Sequence, residues 1–349
     1  MRSVIEVPDE LVPVQALIAD GLSRVERRFE SQLEVDLPPV TRLTRHIERY
    51  RGKMLRPTMV LLCGLAAHPE SAAAFEQDRA GELLTDEHVG LAAVVEMVHM
   101  ATLVHDDVLD EAEVRRRGQT VNKMTGNETA VILGDYLIAA AYHLCSSVAS
   151  TSSTIAVGDT AMILSSGELL QLAHRRDWSL DDATYFEIVQ RKTGALIGLS
   201  CALGAAASGA DERVQAALRT FGQSSGIAFQ IQDDLLDLTG SEDTVGKSVL
   251  RDLAKGKLTL PLIHALAGAE PMERGALLEL IESAAEAQAP DDLAPRIRAH
   301  LETTGSIEHA RRTAERFIDE GRRALESLPE GPARRFLEIS ADSLVARRY

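Results

Sequence analysis

The sequence predicts an all-α fold, a single-domain bundle of long helices around a central apolar cavity. Apolar residues recur at helical spacing along most of the 349 residues, and the sequence contains no strand-like alternation bounded by hairpin turns. Aromatic residues make up only 4% of the chain, whereas alanine and leucine dominate, which favours helices over sheets. The hydrophobic content of 45% is ample for a core.

The composition also indicates which classes of function and which cellular compartment are expected. The formal net charge of −16 argues against a general nucleic-acid-binding protein. The first residues show no basic region followed by an apolar core, so no signal peptide is indicated. A long uncharged run, residues 193–210, is so rich in Gly, Ala and Ser that it predicts a packed interior helix instead of a transmembrane segment. Cys63, Cys145 and Cys201 are far apart among apolar residues, as expected of reduced thiols in a cytoplasmic protein.

The first elements are an amphipathic helix and a basic segment. Apolar residues at helical spacing predict a helix over residues 11–34, which ends before the proline pair at 38–39. Arg51, Lys53 and Arg56 then come just before a proline, which suits the first turn of a buried helix. Backbone N–H groups at such a helix start, beside fixed cations, form an anion site, although a solvated basic loop is an equally good interpretation of this segment alone.

The central helix ends in a cluster of acids. It is predicted to begin at an N-cap on Thr85, and its apolar run ends in Asp106, Asp107 and Asp110. Asp106 and Asp110 are four residues apart and therefore share a helix face, with Asp107 on the adjoining one. Three carboxylates this close repel one another, so the arrangement is costly unless a hard cation lies among them.

A second acidic cluster repeats this spacing as Asp233, Asp234 and Asp237 after another apolar run. One such aspartate triple arises by chance in roughly one of ten chains of this length, and two in well under one of a hundred. Coincidence is therefore a poor explanation of the pair. Two helices with acidic faces set across an apolar cavity are expected, as in metal-binding bundles.

An arginine cluster, Arg115 to Arg117, follows the first acids directly. These side chains could simply neutralise the acids as surface ion pairs, which contribute little. Guanidinium groups also match phosphate geometry, and Mg²⁺ is usually held by carboxylates together with substrate phosphates. The combination indicates a phosphorylated ligand.

The later segments are predicted to be mainly structural. Ser179 and Asp182 occupy capping-box positions before another helix. Residues 240–257 form an irregular stretch with several glycines and lysines, either a lid over a charged ligand or a solvated connection. We expect one domain with a motif-bearing core at roughly 40–265 and structural helices at roughly 270–349.

Several segments in this order closely resemble the trans-isoprenyl diphosphate synthases: RGKMLRP, EMVHMATLVHDDVLDEAEVRRRGQTVN, GDYL, RKTGAL, FQIQDDLLD and GKLTLPLI. The resemblance runs from about residue 51 to 263, and the flanking helices fit the family's length. It implies an all-α homodimer that condenses isopentenyl diphosphate with an allylic diphosphate, repeatedly, to an all-trans polyprenyl diphosphate. It also implies that Mg²⁺ is the cofactor, with three ions per active site. Transient contact with a membrane during product release is compatible with it.

Carried over residue by residue, the resemblance implies the following roles. Metal ligands would be Asp106, Asp107, Asp110, Asp233 and Asp237. The allylic diphosphate would contact Arg115, Lys192, Thr193, Gln230, Lys247 and Lys257. Isopentenyl diphosphate would contact Lys53, Arg56, His99 and Arg116. The catalytic groups would be Asp106, Asp110, Asp233, Lys192 and Arg115.

The chain departs from the family pattern at two places. The family usually has two glycines before the first lysine and an arginine after it, whereas this chain has Arg51 and Gly52 before Lys53 and Met54 after it. The family glycine after the arginine pair arrives one residue late, with Arg117 in its place. The departures concern the shape of two loops.

Product length is predicted from the central helix. The growing tail should run from the acids back toward the helix N-terminus, past Ala101, Val98 and Val94, over about 18 Å. Ala101 and its neighbour Thr102 are small, whereas family members with short products often carry an aromatic at this level. We therefore expect a product longer than fifteen or twenty carbons.

Three other functions are compatible with part of these motifs. His99, His105 and Asp106 suggest an HD-type metal phosphohydrolase, but that function leaves the second acidic cluster without a role. A class I terpene cyclase shares the first acidic motif but typically has a different metal motif where this chain has Asp233, Asp234 and Asp237. A non-catalytic partner subunit would tend to lose acids from the motifs, and both are intact here.

Overall fold

A computed structural model confirms the all-α fold and describes residues 8–116, 118–240, 250–286 and 293–345. Its α-helices, in chain order, are α1 (Val12–Leu33), α2 (Pro38–Ile47), α3 (Leu55–Ala67), α4 (Ser71–Glu76), α5 (Asp86–Leu109), α6 (Val121–Thr125), α7 (Asn127–Val148), α8 (Thr151–Ala173), α9 (Asp182–Val189), α10 (Ala195–Ala207), α11 (Glu212–Thr239), α12 (Arg251–Ala254), α13 (Leu260–Gly268), α14 (Pro271–Glu286), α15 (Ala294–Thr303), α16 (Ser306–Leu325) and α17 (Pro332–Val345). Short 3₁₀ helices span Asp9–Leu11, Glu48–Tyr50 and Ala80–Leu83, and a π-helical turn spans Gln190–Gly194.

One small hairpin interrupts the helices, and sequence periodicity did not predict it. Strand β1 (Val114–Arg115) pairs antiparallel with β2 (Gly118–Gln119), so that Val114 lies opposite Gln119. With two residues in each strand, alternation of apolar and polar side chains has no room to develop. The hairpin follows α5 and carries Arg115.

The chain divides into two compact units. The first comprises Met1–Met162, Leu196–Gly222 and Ala324–Ile339. The second comprises Ile163–Ala195, Gln223–Arg323 and Ser340–Tyr349. The single-domain organisation, with its core at roughly 40–265, stays a prediction.

Helix α5 is the main core helix of the first unit, where it packs against α1, α3 and α7. Its start at Thr85 confirms the predicted N-cap: the Thr85 side chain accepts the backbone N–H of His88, and His88 Nδ1 accepts that of Thr85 at 3.3 Å. Helix α5 is buried on all sides from Val89 to Val98, where Glu96 is the one charged residue among apolar ones. Its first residues, Asp86 and Glu87, and its C-terminal turn, which carries the acids, are partly or fully exposed.

Helix α3 is also buried along most of its length, and α10 approaches it closely. An added Cβ on Gly204 would lie 2.1 Å from the carbonyl oxygen of Val60, so the two backbones touch. As predicted, α3 begins at the basic segment, with a proline in its first turn. Its N-cap is Met54 in the left-handed region at φ 51°, an uncommon conformation for a side chain of this size.

The second unit is built around α9, the π-helical turn, the C-terminal part of α11 and the helices that follow. Asp181 caps α9 by accepting the backbone N–H of Thr184 at 2.8 Å. The predicted capping box of Ser179 and Asp182 is therefore wrong; the Ser179 hydroxyl donates to Asp177 instead. The apolar core of this unit includes Ile188, Leu253, Leu260, Ile263, Ile281, Ile297, Ala310 and Ala314.

Among the described residues, two helices are long and apolar enough to cross a membrane, judged by length and composition alone. They are α5, whose most apolar window is 78% buried, and α7, whose window is 39% buried. A core helix passes the same test, and α5 is one. Residues 193–210, in contrast, form part of the π-helical turn and the 13-residue α10.

Candidate functional site

The first acidic motif lies at the C-terminal end of α5, in the first unit. Asp107 turns inward, with a side chain only 2% exposed, whereas Asp106 and Asp110 are half-buried. Asp110 is the C-cap residue, and its backbone N–H donates to the Asp106 carbonyl. The i,i+4 spacing thus sets Asp106 and Asp110 apart from the buried middle acid, as the periodicity predicted.

The buried acid holds Arg115 in place. Arg115 Nε donates to both Asp107 carboxylate oxygens, at 2.9 and 3.1 Å, and Arg115 Nη2 lies 2.8 Å from Asp107 Oδ1. The Arg115 guanidinium also lies 5.8 Å from the Tyr50 ring centroid. The Tyr50 hydroxyl accepts the Val121 backbone N–H at 3.1 Å, and burial together with Asp107 raises the pKa of Tyr50 to about 12. This fork fixes a guanidinium beside two partly exposed carboxylates.

A basic cluster surrounds a buried acid at the start of α3 and the middle of α5. Burial lowers the pKa of Arg56 to about 10, against the favourable charge of Glu96. Glu96 is 2% exposed, and burial raises its pKa although Arg56, Arg51 and Arg116 oppose the rise. Burial, followed by Arg56, lowers the pKa of His99 well below its usual range, so its ring is neutral at pH 7.

The second acidic motif, in the second unit, belongs to a chain of hydrogen bonds. Thr193 Oγ1 donates to Gln230 Oε1 at 3.0 Å, and Gln230 Nε2 donates to Asp234 Oδ1 at 2.8 Å. The hydroxyl of Tyr185 donates to Asp234 Oδ2 at 2.6 Å. Burial raises the pKa of Asp234 well above its ordinary value, with Asp252 as the next cause. The network fixes the middle acid and its helix.

The other two acids of this motif differ in exposure. Asp233 is exposed. Asp237 is half-buried, and its carboxylate accepts the backbone N–H groups of Arg251 and Asp252 at 3.2 and 3.1 Å. Burial, then Asp252, raises the pKa of Asp237 to about 6. These bonds tie α12 back to the end of α11.

The predicted lysines of the second unit lie in different settings. Lys192 is in the π-helical turn, and its ammonium pairs with Glu168, which also accepts a bond from Gln171 Nε2 at 3.2 Å. π-helical turns of this kind are frequent at functional sites. Lys257 is half-buried, and its backbone N–H donates to the Asp252 carbonyl. Lys247 and Arg117 lie outside the described residues.

The residues predicted to set product length line one stretch of α5. Val94, Val98 and Ala101 are buried, at 0%, 2% and 0% exposure. Thr102 is half-buried, and its hydroxyl donates to the His99 carbonyl at 2.8 Å. Their part in product length stays a prediction.

Within the first unit the structure therefore holds the predicted residues Lys53, Arg56, His99, Asp106, Asp107, Asp110, Arg115 and Arg116. Within the second it holds Lys192, Thr193, Gln230, Asp233, Asp237 and Lys257. Sequence reasoning missed Glu96, Tyr50, Glu168, Tyr185 and Asp252. Of these, Glu96 alone gave a signal, as a lone carboxylate in the apolar run of α5.

Each unit by itself offers ligands of the type that Mg²⁺ prefers. In the first unit these are the partly exposed carboxylates of Asp106 and Asp110, and in the second unit the exposed carboxylate of Asp233. Within the described ranges, no three His, Cys, Asp or Glu side chains form a ready-made metal cage. Mg²⁺ seldom uses such a cage, because it keeps several waters and binds through one or two carboxylates plus substrate phosphates.

Comparisons with known proteins agree with this chemistry. Residues 38–295 match the family model described as polyprenyl synthetase. Heptaprenyl diphosphate synthase component 2 of Bacillus subtilis strain 168 is 32% identical over 334 residues, which cover 96% of this chain and 90% of the relative. Geranylgeranyl pyrophosphate synthase of Geoglobus acetivorans is 34% identical over 342 residues, which cover 96% of this chain and 100% of the relative.

A solved structure has the same fold. A polyprenyl synthase from Caulobacter crescentus CB15, complexed with calcium and isoprenyl diphosphate, superimposes with a TM-score of 0.84 at 30% identity and covers 100% of both chains.

Proposed function

The chain belongs to the polyprenyl synthetase family and is a prenyltransferase, and on that premise we propose that it joins isopentenyl diphosphate repeatedly to an allylic diphosphate, giving an all-trans polyprenyl diphosphate. One observation carries the proposal from the site itself. Beside two partly exposed carboxylates, Asp106 and Asp110, a guanidinium is held rigidly by the buried Asp107. This pairing of oxygen donors with a fixed phosphate-binding fork suits a metal-bound diphosphate.

The first step breaks the allylic carbon–oxygen bond, and the electron pair leaves with the diphosphate. Bound Mg²⁺ would supply positive charge to the departing oxygens. In our proposal Asp106, Asp110, Asp233 and Asp237 hold these ions, while Arg115 and Lys192 contact the diphosphate. The resemblance also implies Asp107 as a metal ligand, but its carboxylate is paired with Arg115, so we assign it to positioning that arginine. Asp107 positions Arg115 and Glu168 positions Lys192, because each acid forms an ion pair with that side chain. Cations fixed before the reaction stabilise the leaving group without reorganisation.

The second step forms the new carbon–carbon bond. The double bond of isopentenyl diphosphate attacks the allylic cation, and a proton then passes to the released diphosphate. We propose that Lys53, Arg56, His99 and Arg116 hold isopentenyl diphosphate, while Thr193, Gln230, Lys247 and Lys257 join the allylic diphosphate contacts. The apolar residues of α5 above the acids keep water from the cation.

We propose a product longer than twenty carbons. The support is that Val94, Val98 and Ala101 are small or branched residues stacked at intervals of three and four along α5. No aromatic ring stands one turn before the acids. The relatives include both a heptaprenyl and a geranylgeranyl synthase, so this point rests on the residues of α5.

We also propose that the protein is a cytoplasmic homodimer that contacts a membrane only when it releases product. Large apolar side chains are exposed on α7 and the first half of α8, among them Ile132 at 65%, Ile155 at 58% and Met162 at 72%. Apolar surface of this kind marks an association face, and a twofold axis lets one face serve both copies. Ile132→Asp and Met162→Asp should yield monomers in analytical ultracentrifugation; a wild-type monomer would contradict the dimer.

The activity is tested by incubating the purified protein with isopentenyl diphosphate, allylic primers of several lengths and Mg²⁺, followed by mass analysis of products. We expect polyprenyl diphosphates from the wild type and a loss of rate of at least a hundredfold in Asp106→Ala. Asp20→Ala, which removes an exposed acid of α1, is the matched control and should retain full activity. Full-rate incorporation by Asp106→Ala would refute the role of that acid.

A further inference from the structure

Arg51 stands where the family usually has the first of two glycines, and the backbone explains why a side chain is tolerated there. Arg51 has φ −58° and ψ 125°, which any L-residue adopts. The second glycine is constrained differently, because an added Cβ on Gly52 would lie 2.0 Å from Arg116 Nη2. The position of Arg51 is thus open to a side chain, whereas Gly52 makes room for Arg116.

The guanidinium of Arg51 is held but incompletely hydrogen-bonded. It stacks 4.4 Å from the centroid of the Phe29 ring, and its Nη1 donates to Glu30 Oε1 at 3.1 Å. The side chain is only 11% exposed. Its Nε and Nη2 are buried, and neither has a hydrogen-bond partner among the described residues. Buried donors without partners are costly and mark places where a ligand completes the bonding.

The surroundings carry excess positive charge. Arg51, Arg56 and Arg116 all act on the buried carboxylate of Glu96, so three guanidinium groups share one buried acid. Arg56 Nε is likewise buried and lacks a partner within the described part of the chain. Glu30, which pairs with Arg51, is half-exposed and largely solvated. A bound anion would satisfy both the charge and the unpaired N–H groups.

We propose that Arg51 is an additional ligand of isopentenyl diphosphate in this chain, donating to its diphosphate through Nε and Nη2. The inference rests on the proposed function, since it assigns a further binding residue to the same substrate. The Phe29 ring holds the guanidinium by stacking, and Glu30 accepts only from Nη1, which leaves Nε and Nη2 without a partner among the described residues. Arg51 binds the substrate and takes no part in bond making or breaking.

The test replaces Arg51 by Met, which keeps an apolar stem over Phe29 but loses the donors, and by Gly, which restores the family residue. We expect both variants to raise the KM for isopentenyl diphosphate about tenfold or more, as for a lost charge-assisted bond. The KM for the allylic substrate should change less than twofold, and kcat at saturation less than threefold. Glu30→Gln, which removes only the ion pair, is the matched control and should leave both KM values unchanged.

The alternative is a purely structural role for Arg51. In that case the Arg51 variants would have a lowered melting temperature but a KM for isopentenyl diphosphate within twofold of the wild type. Alternatively, Glu30→Gln would raise this KM as much as the Arg51 variants do. Either result overturns the inference. If Arg51→Gly does not fold, Arg51→Met decides. If the wild type transfers no prenyl group, the proposed function is refuted instead. The anion site is then tested alone by calorimetry with inorganic pyrophosphate, which should bind at least tenfold more weakly to Arg51→Met than to the wild type.

Discussion

Replacing Asp107 by Ala should cost the protein about 3 kcal/mol of unfolding free energy, because it leaves Arg115 without its counter-charge. The pair is joined by three contacts of 2.8–3.1 Å, and its side chains are 2% and 27% exposed, so solvent screens it little. Arg115→Ala removes the same interaction from the other side and strands the buried carboxylate. The double variant should therefore lose about 2 kcal/mol less than the sum of the single losses.

The assay is urea denaturation at pH 7 of the wild type, the two single variants and the double variant, followed by circular dichroism. A control cycle uses Glu308 and Arg311, which are 3.8 Å apart and more than half exposed. There the coupling should stay below about 0.5 kcal/mol. A coupling that small between Asp107 and Arg115 would refute the reasoning that the buried acid holds the arginine.

Three further predictions follow from single positions. Gly204→Ala should destabilise the protein by about 2 kcal/mol or more in urea denaturation, because its Cβ would lie 2.1 Å from the Val60 carbonyl oxygen. Gly275→Ala, whose Cβ has no atom within 4 Å, is the control and should stabilise by about 0.5–1 kcal/mol. Equal effects of the two substitutions would contradict the close helix contact. Burial lowers the pKa of His88 to about 4 from 6.5, so the stability contributed by its neutral ring is present above pH 6.5 and lost as the pH falls toward 4. The wild type should lose about 2 kcal/mol more than His88→Gln between pH 7 and 5, and equal losses would exclude this role. Ala101→Tyr should shorten the main product by one or more isoprene units in mass analysis, and an unchanged product would refute the pocket assignment.

The parts of the fold that the sequence predicts are those set by local rules. The start of α5 at Thr85 follows from its capping residue, and the separation of Asp107 from the face shared by Asp106 and Asp110 follows from helical spacing. The start of α3 follows from a proline that tolerates only the first turn. The same rules misplaced the α9 cap, because Asp181 and Ser179 are both good capping residues and only the surrounding structure selects one.

The parts of the site that could not be predicted depend on contacts between distant residues. Arg115 reaches Asp107 because a hairpin too short to show alternation turns at Arg116, which has φ 48°. Glu96 and Arg51 are 45 positions apart in sequence, by subtraction of their numbers, and only packing brings their charges together. The hydrogen bond from Tyr185 to Asp234 spans 49 positions. Sequence patterns identify the acids and cations, and tertiary packing decides which of them are paired.

In our proposal, partly exposed carboxylates bind a divalent cation that in turn binds the diphosphate. The measurement is a calorimetric titration of a non-reactive allylic diphosphate analogue into wild type and Asp106→Asn, each with Mg²⁺ and with a chelator. We predict binding to the wild type that is lost with the chelator, and binding to Asp106→Asn at least tenfold weaker with Mg²⁺ present. Analogue binding that is equally tight without cation, or unchanged in Asp106→Asn, would contradict the claim.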